Sequence, residues 1–307
     1  MTDDDPASSA PTRPSLAPNT PEPDTTAPNT PAPNTPVPST PVPSAPEPNA
    51  LDVVPPVRIA ALVEQVGVRK SELPALQTLV LAVLAGAFIA FGGMAYTVAV
   101  TGSEWGYGPT RLLGGLAFSM GLILVVIGGA ELFTGNNLIV MAWAERKVSL
   151  AGLLRNWSIV FTGNLIGALG CVFLVHLSGV MGASEGQVAA TARAIADAKA
   201  VLPPVEAFFR GILCNTLVCL AVWMCFAAHT VAGKVLAIIF PITAFVALGF
   251  EHSVANMYLM PIGALQPGSM VTLADMATNI LIVTAGNIVG GSVFVALVYW
   301  LIYLRRA

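Results

Sequence analysis

Past residue 73 the chain is a succession of long apolar runs separated by short polar joints. The runs fall at about 74–100, 112–141, 156–180, 205–228, 235–261 and 273–304, and each is long enough to cross a hydrocarbon core about 30 Å thick. Six membrane spans are therefore expected. Ser71 is placed as the cap of the first, with Pro74 in its opening turn. A glycine-rich joint at 101–109 follows, where Trp105 and Tyr107 suit a membrane edge. Two weaker patterns flank the spans. Ile59, Leu62, Val63 and Val66 among Arg58, Glu64, Arg69 and Lys70 predict an amphipathic surface helix over 57–70, which has room to pack under a pore. Residues 184–200, with Glu185, Arg193, Asp197 and Lys199 among Ala and Val, predict a second surface helix.

Composition sharpens this picture. Mean hydropathy is +0.75, only 10% of residues are charged and the net charge is −3. Those values describe an integral membrane protein and give no basic patch for nucleic acid. Arg58, Arg69, Lys70, Arg146, Lys147, Arg155, Lys234, Arg305 and Arg306 fall on one side of the predicted spans, which places both termini in the cytoplasm of a multi-pass inner-membrane protein. Cys171, Cys214, Cys219 and Cys225 lie inside apolar runs and read as small core residues. Residues 1–52 are different in kind. Proline recurs there every five residues from Pro28 to Pro48 among Thr, Ser, Asn and Ala, the composition of an extended, disordered tail without signal-peptide character. The expected organisation is a tail over 1–52, an interfacial helix over 53–72 and a channel domain over 73–307.

Two polar stretches sit deep in apolar runs: Gly129-Ala130-Glu131-Leu132-Phe133-Thr134-Gly135-Asn136 and Gly249-Phe250-Glu251-His252-Ser253-Val254-Ala255-Asn256. An acidic residue at the bilayer centre costs roughly 2.5–3.5 kcal/mol even on the mildest scale, so each needs a reason. The stretches lie 120 residues apart, and Gly163-Asn164-Leu165-Ile166-Gly167 is echoed by Gly286-Asn287-Ile288-Val289-Gly290 123 residues later. A repeat of three spans turns the second copy upside down. The prediction is an all-α membrane protein of six helices in an inverted 3+3 repeat, with the second and fifth helices broken at a central pore.

The two polar stretches, the run Phe245-Val246-Ala247-Leu248 that leads into the second, and Gly286-Asn287-Ile288-Val289-Gly290-Gly291 resemble the signatures of the formate/nitrite transporter family over roughly residues 73–305. The resemblance implies an aquaporin-like protomer in a homopentamer, with one pore per protomer for small monovalent weak-acid anions. It implies His252 as the central pore histidine, Thr134 as the hydroxyl facing it and Asn215 as a further polar contact. It also implies Phe118, Leu122 and Phe245 as apolar slits, and Lys199 as a vestibule lysine that attracts anions. Phe118 and Leu122 lie four apart on one helical face, and Phe245 and His252 seven apart on another. Glu131 and Glu251 read as scaffold, accepting backbone N–H groups at the helix breaks, with Asn136 and Asn256 beside them.

Burial disfavours the charged form of a histidine, so His252 is expected to rest neutral and to exchange a proton when an anion arrives. The expected function is pH-sensitive passage of formate or a similar anion, with protons as the second partner and no cofactor. The same fold serves nitrite, hydrosulfide and lactate. A different class, a sensor whose proline tail recruits a partner, stays open. An enzyme is not expected, because no metal-ligand spacing or second acid/base accompanies His252.

Overall fold

The computed structural model describes residues 53–305, and every regular element among them is helical. The proline-rich segment 1–52 and Arg306 lie outside the described residues. Helix α1 (Pro56–Glu72) precedes α2 (Ala75–Val100) and α3 (Tyr107–Gly128); a 3₁₀ turn (Gly135–Ile139) then leads into the short α4 (Val140–Ala144). Helices α5 (Leu150–Leu177), α6 (Gln187–Ala200), α7 (Pro204–Ala227), α8 (Val231–Ala247) and α9 (Ser253–Ala264) follow. The last apolar run is α10 (Leu273–Ile288), a π-helical stretch (Val289–Leu297) and α11 (Val298–Tyr303).

Among the described residues, five helices are long and apolar enough to cross a membrane: Ala75–Val100, Tyr107–Gly128, Leu150–Leu177, Pro204–Ala227 and Leu273–Tyr303. The run predicted at 235–261 yields instead a shorter apolar helix, Val231–Ala247, and a separate α9. Its interruption has a local cause. Gly249 adopts φ +72°, a left-handed conformation that ends an α-helix, and Gly129 does the same at φ +77° after α3. Ser71 is not the cap of α2. Pro74 holds that place, while the Ser71 hydroxyl donates back to the Val68 carbonyl at 2.7 Å in the last turn of α1.

Two glycine-lined crossings hold the bundle. Gly167 of α5 lies against the Val83 carbonyl of α2, and Gly290 lies against the Ile212 carbonyl of α7, so closely that a Cβ at either place would collide with backbone. Such approach replaces the hydrophobic drive that helices lose in lipid. Helices α1 and α6 are not free surface elements. Ile59, Ala60 and Val63 of α1 pack in a core cluster with Leu138 and Ile139, and its buried Glu64 forms an ion pair with Lys147. In α6, Val188, Ala192 and Ala196 are buried, and Gly263 of α9 abuts Ala192 and Ala196. All four cysteines are free and buried.

Candidate functional site

Both non-helical segments carry the same hydrogen-bond frame. The Glu131 amide donates to the Leu81 carbonyl at 3.2 Å, and the Glu251 amide to the Arg210 carbonyl at 3.3 Å. Asn164 donates to the Ala82 and Glu131 carbonyls (2.7 and 2.9 Å) and accepts from the Phe133 amide at 2.9 Å. Asn287 repeats this, donating to the Gly211 and Glu251 carbonyls (2.8 and 3.0 Å) and accepting from the Ser253 amide at 2.9 Å. Backbone groups released where the helices stop are thus satisfied by one buried amide each, as groups removed from water require.

Glu131 and Glu251 do not use backbone amides, contrary to the sequence expectation. Glu131 accepts from Lys70 Nζ at 2.9 Å and from Asn136 Nδ2 at 2.7 Å. Glu251 accepts from Lys199 Nζ at 2.8 Å on both oxygens and from Asn256 Nδ2 at 2.7 Å. The Glu131, Phe133, Glu251 and Ser253 amides already have carbonyl or asparagine partners, and a buried carboxylate is better balanced by an ammonium group. Asn156 and Asn279 complete the two sets. Each accepts from the preceding asparagine (2.9 and 2.7 Å) and donates to the carbonyl of the lysine, Lys70 or Lys199 (3.1 and 3.0 Å). Sequence reading gave Lys199 as a vestibule or surface lysine and missed Lys70, Asn156 and Asn279. Lys199 is clamped to its carboxylate and only 14% exposed.

Two cavities end against these frames. One, of about 270 Å³, is lined by Lys70, Glu131, Leu132, Leu122, Cys225 and Lys234. The other, of about 420 Å³, is lined by Lys199, Glu251, His252, Phe118, Phe245 and Arg111, among others. They share no wall residue. Phe118 and Leu122, one turn apart on α3, therefore face different cavities.

The polar contacts between them centre on His252. Phe118 and Phe245 meet edge-on with centroids 5.6 Å apart, and Phe245 stacks on His252 at 6.0 Å. Helical spacing does not cause that second contact, since α8 ends at Ala247 and His252 is the N-cap of α9. His252 Nε2 is 2.9 Å from Thr134 Oγ1, and its Nδ1 accepts from the Ala255 amide at 3.1 Å. The acceptor role of Nδ1 places the imidazole hydrogen on Nε2, which donates to Thr134 and leaves the hydroxyl hydrogen of Thr134 free to donate. Asn215 stands behind Thr134. Its Nδ2 reaches the Thr134 carbonyl (3.2 Å), Asn137 Oδ1 (2.7 Å) and the Asn287 carbonyl (2.7 Å). The structure thus brings Thr134, His252, Phe118 and Phe245 together and puts Asn215 in contact with two backbone carbonyls and the Asn137 side chain rather than with the histidine. Among the described residues no His, Cys, Asp and Glu group is placed to hold a metal ion.

The chain resembles several known proteins over most of its length. The chain is 40% identical over 274 residues to the formate channel FocA of Escherichia coli (strain K12), covering 83% of this chain and 96% of the relative. It is 42% identical over 257 residues to a probable formate transporter of Methanothermobacter thermautotrophicus, covering 77% and 92%. A solved pentameric formate channel with formate bound superposes with a TM-score of 0.70 at 42% identity, covering 75% of this chain and 98% of that one. A solved ion channel of the FNT family gives a TM-score of 0.73 at 30% identity, covering 80% and 98%. The formate/nitrite transporter family profile matches residues 57–301, from the first turn of α1 to the last of α11, and the chain belongs to that family of integral membrane transport proteins.

Proposed function

We propose that this protein is a channel for small monovalent weak-acid anions, with formate as its substrate and His252 mediating protonation in the pore. The observation that carries the reading is the Thr134–His252 pair at 2.9 Å, enclosed by Phe118 and Phe245 beside two separate polar-floored cavities. An unpaired carboxylate cannot shed its water among apolar rings, whereas the neutral acid crosses far more cheaply. Thr134 offers the entering anion a hydroxyl hydrogen. The neutral imidazole has no proton to surrender until a second one reaches Nδ1, which requires the Ala255 amide to let go. A nearby anion stabilises the resulting imidazolium, which then passes its Nε2 proton toward the substrate.

The fold reading that accompanies this is six crossings in two halves of opposite orientation, with the second and fifth interrupted at Gly129 and Gly249. The matching hydrogen-bond frames support it. Phe118, Leu122 and Phe245 act as the apolar slits, Asn215 steadies the backbone behind Thr134, and the Lys–Glu–Asn sets hold the breaks. A homopentamer in the inner membrane with both termini cytoplasmic follows the pentameric relative and the Lys/Arg distribution.

Uptake by purified protein in liposomes tests the reading, with formate, nitrite, hydrosulfide and lactate compared across a pH gradient. Formate flux that follows the gradient, and loses that dependence in His252→Asn, is the expected result. Asparagine keeps an N-cap acceptor for α9, so folding is preserved. Unchanged pH dependence in that variant would remove the histidine from the mechanism, and dominance of another anion would reassign the substrate within the family.

A further inference from the structure

Lys199 is held on both oxygens of Glu251, so its charge is already balanced. Two guanidinium groups line the larger cavity with it, those of Arg111 and Arg210. They converge on one point. The position that a Cβ on Gly249 would occupy is 3.3 Å from an Arg111 terminal nitrogen (Nη2) and 4.0 Å from one of Arg210 (Nη1). Gly249 lacks that atom, and its left-handed φ of +72° disfavours any side chain there. The glycine that ends α8 therefore also keeps open a small space flanked by two positive charges.

Neither arginine is fully engaged. Arg111 donates to the Val246 carbonyl (2.6 Å), the Ala247 carbonyl (3.4 Å) and the Tyr96 hydroxyl (2.9 Å), none of which is charged. Its role in closing the end of α8 fixes the guanidinium in place, and no carboxylate among the described residues pairs with it. Arg210 meets Glu206 through Nη2 at 2.7 Å, a surface pair in which the arginine is 42% exposed, and its Nη1 is the atom beside Gly249. Exposure falls from Arg210 at 42% to Lys199 at 14% and His252 at 3%, so Arg210 lies on the solvent side of the lysine and histidine. A guanidinium presents paired N–H donors that match a carboxylate, and two of them around one point raise the local concentration of a small anion.

We propose that Arg111 and Arg210 form an anion-capture site at Gly249 that takes a small carboxylate before it reaches Lys199 and His252. The proposal deepens the formate reading and rests on it for the identity of the anion. Arg210 is the better group to change, because Arg111 also closes a helix. Formate uptake into proteoliposomes is measured against formate concentration at fixed pH, together with line broadening of ¹³C-formate by the purified protein in detergent.

Arg210→Gln is expected to raise KM about three- to tenfold, the worth of one solvent-exposed hydrogen bond, and to affect KM more than maximal rate. Arg210→Lys recovers part of that loss, and Arg210→Glu abolishes the broadening. Glu206→Gln releases Arg210 from its carboxylate and lowers KM. Wild-type KM and broadening in both Arg210→Gln and Arg210→Glu would overturn the site. So would a KM raised by Glu206→Gln as much as by Arg210→Gln, since that pattern assigns the pair to the stability of α7. If the wild-type protein broadens ¹³C-formate in an Arg210-dependent way but moves none, the capture site stands and the channel reading falls. If it moves formate with no dependence on Arg210, the outcome is the reverse.

Discussion

Leu132 and His252 occupy matching places 120 residues apart. Each follows a glutamate held by a lysine, and each backbone carbonyl accepts the amide of the asparagine four residues on, at 2.9 and 3.0 Å. One is an aliphatic wall and the other a hydrogen-bonding imidazole. A second pair diverges in the same direction. Gly86 of α2 lies against the Asn164 carbonyl, while Asn215, its counterpart on α7, donates its amide to the matching Asn287 carbonyl and reaches across to Thr134. The load of holding two interrupted helices is shared evenly, but the polar side chains at the centre come unevenly, with His252 and Asn215 from the second half meeting Thr134 from the first. The frame is alike in both halves, and the two departures from it are the buried polar side chains of His252 and Asn215.

The sharpest way to erase that difference is His252→Leu, which makes the second half resemble the first. Formate flux is expected to fall about a hundredfold, the lower end of what a positioned acid–base group contributes. Flux that survives in His252→Leu would mean that the frame alone conducts. Next come the two lysines. Lys199→Met strands Glu251 in a site where the pair is almost fully buried, for a loss of about 3–5 kcal/mol, whereas Lys70→Met at 27% exposure is expected to cost about half as much. Denaturant unfolding in detergent measures both, and equal losses would show that the two ends are energetically alike. Replacing Asn164 or Asn287 by Leu leaves the Glu131 or Glu251 carbonyl and the Phe133 or Ser253 amide short of a partner and should cost about 2–3 kcal/mol in either half. An effect confined to one of them would break the equivalence of the frames.

The smallest expected effect lies at the helix starts. Ser149 caps α5 by accepting the Gly152 amide, and Thr272, its counterpart 123 residues on, caps α10 in a reciprocal pair with Asp275. Alanine should cost about 1 kcal/mol at Ser149 and somewhat more at Thr272, where the reciprocal bond is also lost.

Much of this was legible in the sequence because Glu131 and Glu251, Asn136 and Asn256, and Asn164 and Asn287 are polar residues in apolar surroundings at nearly equal offsets of 120, 120 and 123 residues. Lys70 and Lys199 were not paired, for a physical reason. They match at an offset of 129, not 120, because the joints between helices differ in length, and a lysine on an amphipathic helix reads as a solvated one. Asn156 and Asn279 sit near helix starts, where polar residues are ordinary. The Phe245–His252 contact could not come from helical periodicity, since the break at Gly249 resets it. The hydrogen-bonded neutral form of His252 depends on the Ala255 amide, a backbone group on which sequence is silent.

The separation of the two cavities has an electrical consequence. Their inner ends are set apart by roughly the turn of α3 between Phe118 and Leu122, about 6 Å of helix, and water that fills both would bring each solution close to that turn. The membrane potential then falls across this short plug and not across the full bilayer. An anion crossing it intact does work of about 2.3 kcal/mol against 100 mV, while a neutral acid does none. Current and tracer flux measured on the same protein would therefore separate at one turn of helix.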